Sequence, residues 1–337
     1  MKYLVTDQRD IRYNLALETY LLEHSDLQEP ILYFYINSPC IILGRNQNVY
    51  EEVNLEYVRQ QQIIVTRRTS GGGAVFDDLG NVSFSFITKD DGHSNGDFSK
   101  FTAPVITALH EMGATGAKLV GRNDLQIDGK KFSGNAMRLQ HGRMFSHGTL
   151  MYNVDLSVIE KALNVPQDKI AAKGIKSVHS RVTNLKPFFT PEYQQLTIEE
   201  FRDTLAQKIL QVSDLKQANE YLLDDTAKQA VNAINQKFFS NWNWVYGSSP
   251  LAAIQQRQHF TQGTIDFRLQ IEHGCISYLQ VYGDFLGQAD VKQFAAKLIG
   301  VRYERQAITQ ALTNVELQPY FGKIEHQSII DLLVRQE

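Results

Sequence analysis

The segment Arg67-Arg68-Thr69-Ser70-Gly71-Gly72-Gly73-Ala74-Val75-Phe76 runs from a β-branched stretch into three consecutive glycines and straight on into a second apolar stretch. It reads as a strand, a glycine loop and another strand. Glycines let backbone N–H groups approach a ligand closely, and two guanidiniums beside them suit a carboxylate or a phosphate. An anion cradle is one reading. A glycine-rich hairpin flanked by two solvated arginines is the other, and spacing alone leaves both open. Neither GxxxxGK[ST] nor GxGxxG occurs in the segment, which disfavours the familiar nucleotide-binding folds.

Around this loop the chain alternates short extended runs with amphipathic ones. Leu17, Tyr20, Leu21 and His24 recur at spacings of three and four, which predicts a helix over 11–24 with Asn14 as its cap. Strands are predicted over 31–36, 40–43 and 63–66, separated by Asn37-Ser38-Pro39 and Gly44-Arg45-Asn46. Val82, Phe84 and Phe86 alternate with Ser83 and Ser85, so one face of that strand is apolar and the other meets something polar. Thr197-Ile198-Glu199-Glu200 forms a capping box ahead of Phe201, Leu205, Ile209 and Val212. Turn signals near Tyr246-Gly247-Ser248-Ser249-Pro250 place a boundary near 246, giving domains 1–246 and 247–337. The second domain begins with alternation at Ile265, Phe267, Leu269 and Ile271 and continues with helices over 291–298 and 308–312.

Three further clusters carry polar chemistry. In Gly121-Arg122-Asn123-Asp124-Leu125-Gln126-Ile127-Asp128-Gly129-Lys130-Lys131, the Asp128-Gly129 pair signals a hairpin. Alternation puts Asp124 and Gln126 on one face, where Lys131 of the returning strand can meet Asp124; a surface turn with a solvated aspartate and two lysines fits equally. His147, in Phe145-Ser146-His147-Gly148-Thr149-Leu150, carries the one imidazole of this cluster and suits a structural as well as a chemical role. Lys173 to Leu185 sets cations among glycine and hydroxyl residues, as a phosphate-covering loop or an exposed basic loop would.

Composition narrows the classes. A net charge of -3 disfavours nucleic acid as a partner. The chain has 2 cysteines, Cys40 and Cys275, too few for a disulfide framework, and its 9 histidines form no HExxH, so no transition metal is expected. No secretory h-region and no run of 18 apolar residues is present, so a cytoplasmic protein without a membrane span is expected.

Taken in order, these clusters resemble the lipoate-protein ligases of the biotin and lipoate ligase superfamily. Gly44-Arg45-Asn46-Gln47-Asn48 is similar to the family's first motif and Arg67 to Gly73 to its lipoate-binding loop. Asn123-Asp124-Leu125 with Lys131-Phe132-Ser133-Gly134-Asn135-Ala136 resembles the catalytic hairpin, His147-Gly148-Thr149-Leu150 follows it, and Lys173 to Asn184 is similar to the adenylate-binding loop. Gly283-Asp284-Phe285 resembles a motif of the C-terminal accessory domain. The resemblance implies an α+β fold: a catalytic domain with central mixed β-sheets and flanking helices, plus a small α/β accessory domain. It implies that lipoate, with octanoate as an alternative acid, reacts with ATP and Mg²⁺ to give lipoyl-adenylate. The lipoyl group then passes to a lysine of 2-oxoacid dehydrogenase acyltransferase subunits or the glycine-cleavage H protein, a route that scavenges exogenous lipoate. A monomer is the default expectation.

By the same resemblance Lys131 bridges the lipoate carboxylate and the α-phosphate, Asp124 holds Mg²⁺ and Asn123 helps place the nucleotide. Arg68, Ser70, Gly71, Gly72, Gly73 and His147 line the lipoate site; Gly73, Val75, Phe76, Lys173, Ser180 and Arg181 join Asn123, Asp124 and Lys131 around ATP or the adenylate. One departure stands out, because Asp77-Asp78 occupies the place where the family commonly reads His-Asp, so that histidine's role does not carry over. An acyl-cysteine transferase would need a positioned cysteine, and a biotin ligase a Gly-Arg-rich biotin loop; neither is seen. A non-catalytic paralogue binding lipoyl-adenylate is the rival from another class, and intact Lys131, Asp124 and glycine loop argue against it.

Overall fold

The computed structural model describes residues 1–164, 182–246, 254–272, 275–303 and 305–334. In chain order the first strands are β1 (Lys2–Val5), β2 (Ile31–Tyr35), β3 (Cys40–Leu43), β4 (Ile64–Arg67), β5 (Val75–Asp77), β6 (Asn81–Lys89), β7 (Lys118–Val120), β8 (Asp124–Ile127), β9 (Lys130–Gln140), β10 (Arg143–Met151) and β11 (Asn219–Glu220). Eight of them build one mixed sheet in the order β11-β1-β2-β6-β10-β9-β8-β7, and β4-β3-β5 form a second. The fold is α+β, as expected.

The serine–phenylalanine alternation of β6 sorts the two faces of the large sheet. Val82, Phe84 and Phe86 pack with Phe101, Val105 and Leu109 of the helix Phe98–Glu111 and with Phe201 and Leu205 of the helix Ile198–Leu210. Ser83 and Ser85 face the other way, beneath the helix Ile11–His24. There Ser83 Oγ donates to Asp77 Oδ2 at 3.0 Å, which is the polar neighbour the alternation anticipated. The cap of that helix differs from expectation. Asp10 accepts from the Arg12 amide at 2.9 Å and caps it, whereas Asn14 lies one turn inside, buried, with its Nδ2 donating to the Gln8 carbonyl and to Asn37 Oδ1. Tertiary partners for its amide outweigh its capping preference.

The small sheet dictates where the glycine loop must lie. β3 runs parallel to β4 and antiparallel to β5, so it sits between them. The connection from β4 to β5 therefore crosses the end of β3, pressing on Gly44; a Cβ there would stand 1.8 Å from the Gly72 carbonyl oxygen. On the opposite edge, Asp128 (φ 50°) and Gly129 (φ 74°) both adopt the left-handed conformation that a two-residue hairpin turn requires.

The C-terminal unit is an antiparallel sheet of β12 (Ile254–Phe260), β13 (Gly263–Glu272) and β14 (Cys275–Gly283), with helices at Val291–Ala296, Arg305–Leu312, Gln318–Phe321 and His326–Leu333. Its own core gathers Phe267, Phe285, Phe294 and Phe321. The boundary expected at 246 falls where 247–253 lie outside the described residues. This unit touches the larger one close to the loops just described. Gly283 N donates to the Asn46 carbonyl at 2.6 Å, Arg122 donates to the Gln262 carbonyl, and Gly71 approaches so closely that a Cβ would sit 2.7 Å from the Phe285 carbonyl oxygen. Among the described residues no helix is long and apolar enough to cross a membrane.

Candidate active site

A cavity of about 90 Å³ opens between the glycine loop and strands β9 and β10. Leu15, Ile42, Val75 and Ala136 supply apolar wall; Tyr35, Ser83 and His147 supply polar atoms, and Asn123 and Lys131 border it. The mixture suits a chain with a greasy tail and one charged head.

Lys131 and Asp124 meet as the alternation predicted: Nζ lies 2.7 Å from Asp124 Oδ1. A bulge between Leu125 and Gln126 shifts the register, so Lys131 pairs with Gln126 along the backbone while Gly134 lies opposite Asp124. Both side chains are partly exposed, at 36% and 27%, so the pair faces the solvent side of the cavity. Asn123 is held beside them, its Nδ2 donating to the Asn135 carbonyl at 2.5 Å. Thr183 N donates to the Lys131 carbonyl at 2.8 Å, which brings the chain just after 181 against the same strand. Lys173, Ser180 and Arg181, assigned to the adenylate loop, lie outside the described residues.

The two arginines match neither sequence reading. Arg68 is fully enclosed, and its donors go to backbone: Nη1 to the Ile42 carbonyl at 3.0 Å, and Nη2 to the carbonyls of Gly71 and Gly73 at 2.7 and 2.8 Å. Its Nε donates to Ser70 Oγ at 3.1 Å. Burial pulls its pKa down to about 10, which leaves it cationic at neutral pH. Arg68 thus borders the cavity as a brace for the loop, with all three of its nitrogens donating to the protein. Gly72 completes the fit; its φ of +98° is left-handed, and a Cβ there would stand 2.7 Å from Arg68 Nη2. Arg67 is equally buried, donating to the carbonyls of Gly44, Arg45, Gln47, Trp244 and Val245. Carbonyl cages replace the water that a buried guanidinium gives up.

The remaining assigned residues divide. Gly72, Gly73, Val75 and His147 line the cavity. Phe76, expected beside the nucleotide, turns its side chain into the core with Ile41 and Leu43, because consecutive residues of β5 face opposite ways. Gly71 faces the accessory unit instead, and Ser70 Oγ is enclosed by Arg68 Nε and His147 Nε2, 2.9 Å away.

Sequence reading missed Glu18, whose carboxylate oxygens lie 2.9 and 3.0 Å from His147 Nδ1 and which is 2% exposed. The signal was present: Asn14 and Glu18, four apart, sit in the stripe of the helix otherwise filled by Ile11, Leu15, Leu21 and Leu22. Asp77 belongs to a similar buried network, since its Oδ2 accepts from Asn37 Nδ2 at 3.1 Å as well as from Ser83, and Asn14 Oδ1 accepts from Tyr33 OH at 3.1 Å. Burial pushes the Asp77 carboxyl from its ordinary 3.8 up to about 6. A raised folded pKa favours the neutral acid, so this group supports folding fully below about pH 4 and loses that support as the pH rises through about 6. Asp77→Asn cannot ionise. Its stability relative to the parent protein should therefore improve by up to about 3 kcal/mol between pH 4 and 7.5, read from urea unfolding of both proteins. A difference that stays flat with pH would contradict the assignment.

Among the described residues no group of three or more His, Cys, Asp or Glu could hold a metal ion. Asp124 alone, partly exposed beside a lysine, suits a Mg²⁺ ion carried largely by phosphate oxygens, which needs only one or two protein carboxylates.

Known proteins resemble both units of the chain. Residues 10–210 match the model of the lipoyl protein ligase A/B catalytic domain, and 249–333 match the bacterial lipoate protein ligase C-terminus. The chain is 45% identical over 324 residues to the lipoate-protein ligase LplJ of Bacillus subtilis, covering 96% of this chain and 97% of the relative. It is 40% identical to lipoate–protein ligase 1 of Staphylococcus aureus, covering 99% and 100%. Among solved structures, P. falciparum LipL1 in complex with lipoate aligns with a TM-score of 0.77 at 24% identity over 99% of this chain and 98% of that one, a likeness of fold. A bi-partite lipoate protein ligase from Thermoplasma acidophilum, described with its E2 lipoyl domain, aligns at 0.62 and 26% identity over 75% and 98%. The catalytic-domain match over 10–210, the C-terminal match over 249–333 and the 45% identity over 324 residues place this chain in the lipoate-protein ligase family.

Proposed function

We propose that the protein couples lipoate to ATP at the Lys131–Asp124 pair and then passes the lipoyl group to a lysine of an acceptor lipoyl domain. The observation that carries this reading is the 2.7 Å pair at the solvent side of a cavity whose inner wall is largely apolar. In the first step a lipoate carboxylate oxygen attacks the α-phosphorus, the bond to the β-phosphate oxygen breaks, and pyrophosphate leaves. The carboxylate and phosphate repel, so Lys131 between them offsets charge on both. Mg²⁺ near Asp124 would neutralise phosphate oxygens when bound. The glycine loop, braced by Arg68, presents backbone to the nucleotide without a competing side chain.

In the second step the acceptor's amine attacks the acyl carbonyl, AMP leaves, an amide forms and one proton is released. The amine must be neutral, yet a free lysine is only about one part in a thousand neutral near pH 7.4. A cationic Lys131 beside the incoming ammonium favours loss of its proton. Support for a lipoyl-domain acceptor comes from the Thermoplasma neighbour, described with such a domain. We infer that acyltransferase subunits of 2-oxoacid dehydrogenases and the glycine-cleavage H protein are the acceptors, that octanoate serves as an alternative acid, and that the protein works as a cytoplasmic monomer. Incubation with lipoate, ATP, Mg²⁺ and an apo lipoyl domain should add one lipoyl group per domain, detected by intact mass. An acceptor left unmodified, alongside normal adenylate formation, would refute the transfer step.

A further inference from the structure

Four buried side chains form one hydrogen-bond chain, of which the chemistry above uses only Arg68. Arg68 Nε donates to Ser70 Oγ at 3.1 Å, Ser70 Oγ meets His147 Nε2 at 2.9 Å, and His147 Nδ1 meets the Glu18 carboxylate at 2.9 and 3.0 Å. The carboxylate accepts from Nδ1, and the Ser70–His147 contact links that pair to Arg68. Hydrogen bonds in dry surroundings are stronger than in water, and Glu18, Ser70 and His147 are 2%, 2% and 8% exposed.

The order serine, histidine, glutamate is that of a hydrolytic nucleophile, and enclosure excludes that use. Ser70 Oγ lies between a guanidinium and an imidazole, and Ser70, 2% exposed, borders only the neighbouring cavity beside the accessory unit. What the chain joins is more informative. Next to the Glu18 end the His147 ring forms cavity wall, tilted against Phe145 with ring centres 4.7 Å apart. At the other end Arg68 grips the carbonyls of Gly71 and Gly73. Gly73 borders the same cavity as Lys131. A displacement of the imidazole away from the cavity bears on Ser70 and through it on Arg68, because the enclosed side of the ring is close-packed.

We propose that His147, acting through Ser70 and Arg68, couples the seating of an acyl tail to the geometry of the glycine loop, so that the acid and the nucleotide bind synergistically. His147 and Ser70 are then positioning residues. The inference rests on the reading that acid and ATP meet at this cavity, and the coupling is reciprocal by thermodynamic necessity.

The test is calorimetric titration of an ATP analogue, methylene-bridged between its α- and β-phosphates, into protein with Mg²⁺, with and without saturating lipoate. In the parent protein lipoate should tighten analogue binding roughly 10-fold. Butyrate, which carries the carboxylate without a tail long enough to reach His147, should leave it unchanged. Ser70→Ala should bring the lipoate factor close to one, and Ser70→Thr, which restores the hydroxyl, should keep most of it. The factor is a ratio within one variant, so a general loss of affinity does not imitate the result. Where alanine leaves the chain unfolded by thermal melt, Ser70→Cys keeps the volume and weakens both hydrogen bonds. A factor that survives in Ser70→Ala, or that alanine and threonine abolish equally, overturns the relay. Absence of both lipoate and analogue binding in the parent protein overturns the functional reading itself.

Discussion

Lys131→Ala should slow adenylate formation severely while leaving the fold intact. Single-turnover assays with lipoate, ATP and Mg²⁺ should show lipoyl-adenylate appearing about 10³-fold more slowly, a loss of about 4 kcal/mol of transition-state stabilisation. The magnitude follows from geometry. Lys131 borders the cavity, and its ammonium group is paired with Asp124 at 2.7 Å. The side chain is 36% exposed, so its removal opens no core cavity, and the melting temperature should move by a degree or two. Supplied with preformed lipoyl-adenylate, the variant should also transfer slowly, because the acceptor amine loses the neighbouring cation that favours its neutral form. Normal transfer in that assay would limit Lys131 to the first step.

The second large effect concerns stability rather than rate. Arg67→Ala should cost about 4 kcal/mol, lowering the melting temperature by roughly 10 °C. Five backbone carbonyls from two separate segments converge on this guanidinium, at Gly44, Arg45 and Gln47 on one side and Trp244 and Val245 on the other. Truncation leaves several of them buried without donors, the expensive half of a lost hydrogen bond. Arg67→Lys should recover little, since a single ammonium cannot reach acceptors spread around a planar fork. Guanidinium chloride or thermal unfolding reads the difference directly. A variant as stable as the parent protein would mean that the carbonyls find water when the arginine is gone.

These two residues mark what was legible in the sequence and what was not. Lys131 and Asp124 were found because strand alternation and an Asp-Gly turn are local rules, and the salt bridge survives even the bulge that shifts the register. The face of β6 bearing Ser83 was legible for the same reason. The surroundings of Arg67 and Arg68 were not legible, because no local rule says whether a guanidinium meets solvent, an anion or a cage of carbonyls. That depends on β3 lying between β4 and β5, which forces the loop across Gly44 and closes the cage. Glu18 and Asn14 could have been suspected as polar residues in the apolar stripe of their helix. Their partners His147, Asn37 and Tyr33 lie 129, 23 and 19 residues away, beyond what periodicity resolves. Asp77 combines both cases: its departure from the family pattern was visible, while its burial and its bonds to Asn37 and Ser83 needed the fold.

If this cavity brings an acyl carboxylate and a nucleotide together at Lys131 and Asp124, the purified protein with Mg²⁺ should exchange labelled pyrophosphate into ATP in the presence of lipoate, without any acceptor. Biotin, as a control acid, should not support the exchange. Exchange absent with lipoate, in protein that melts cooperatively, would contradict that joint binding and point to acyl binding or transfer without ATP.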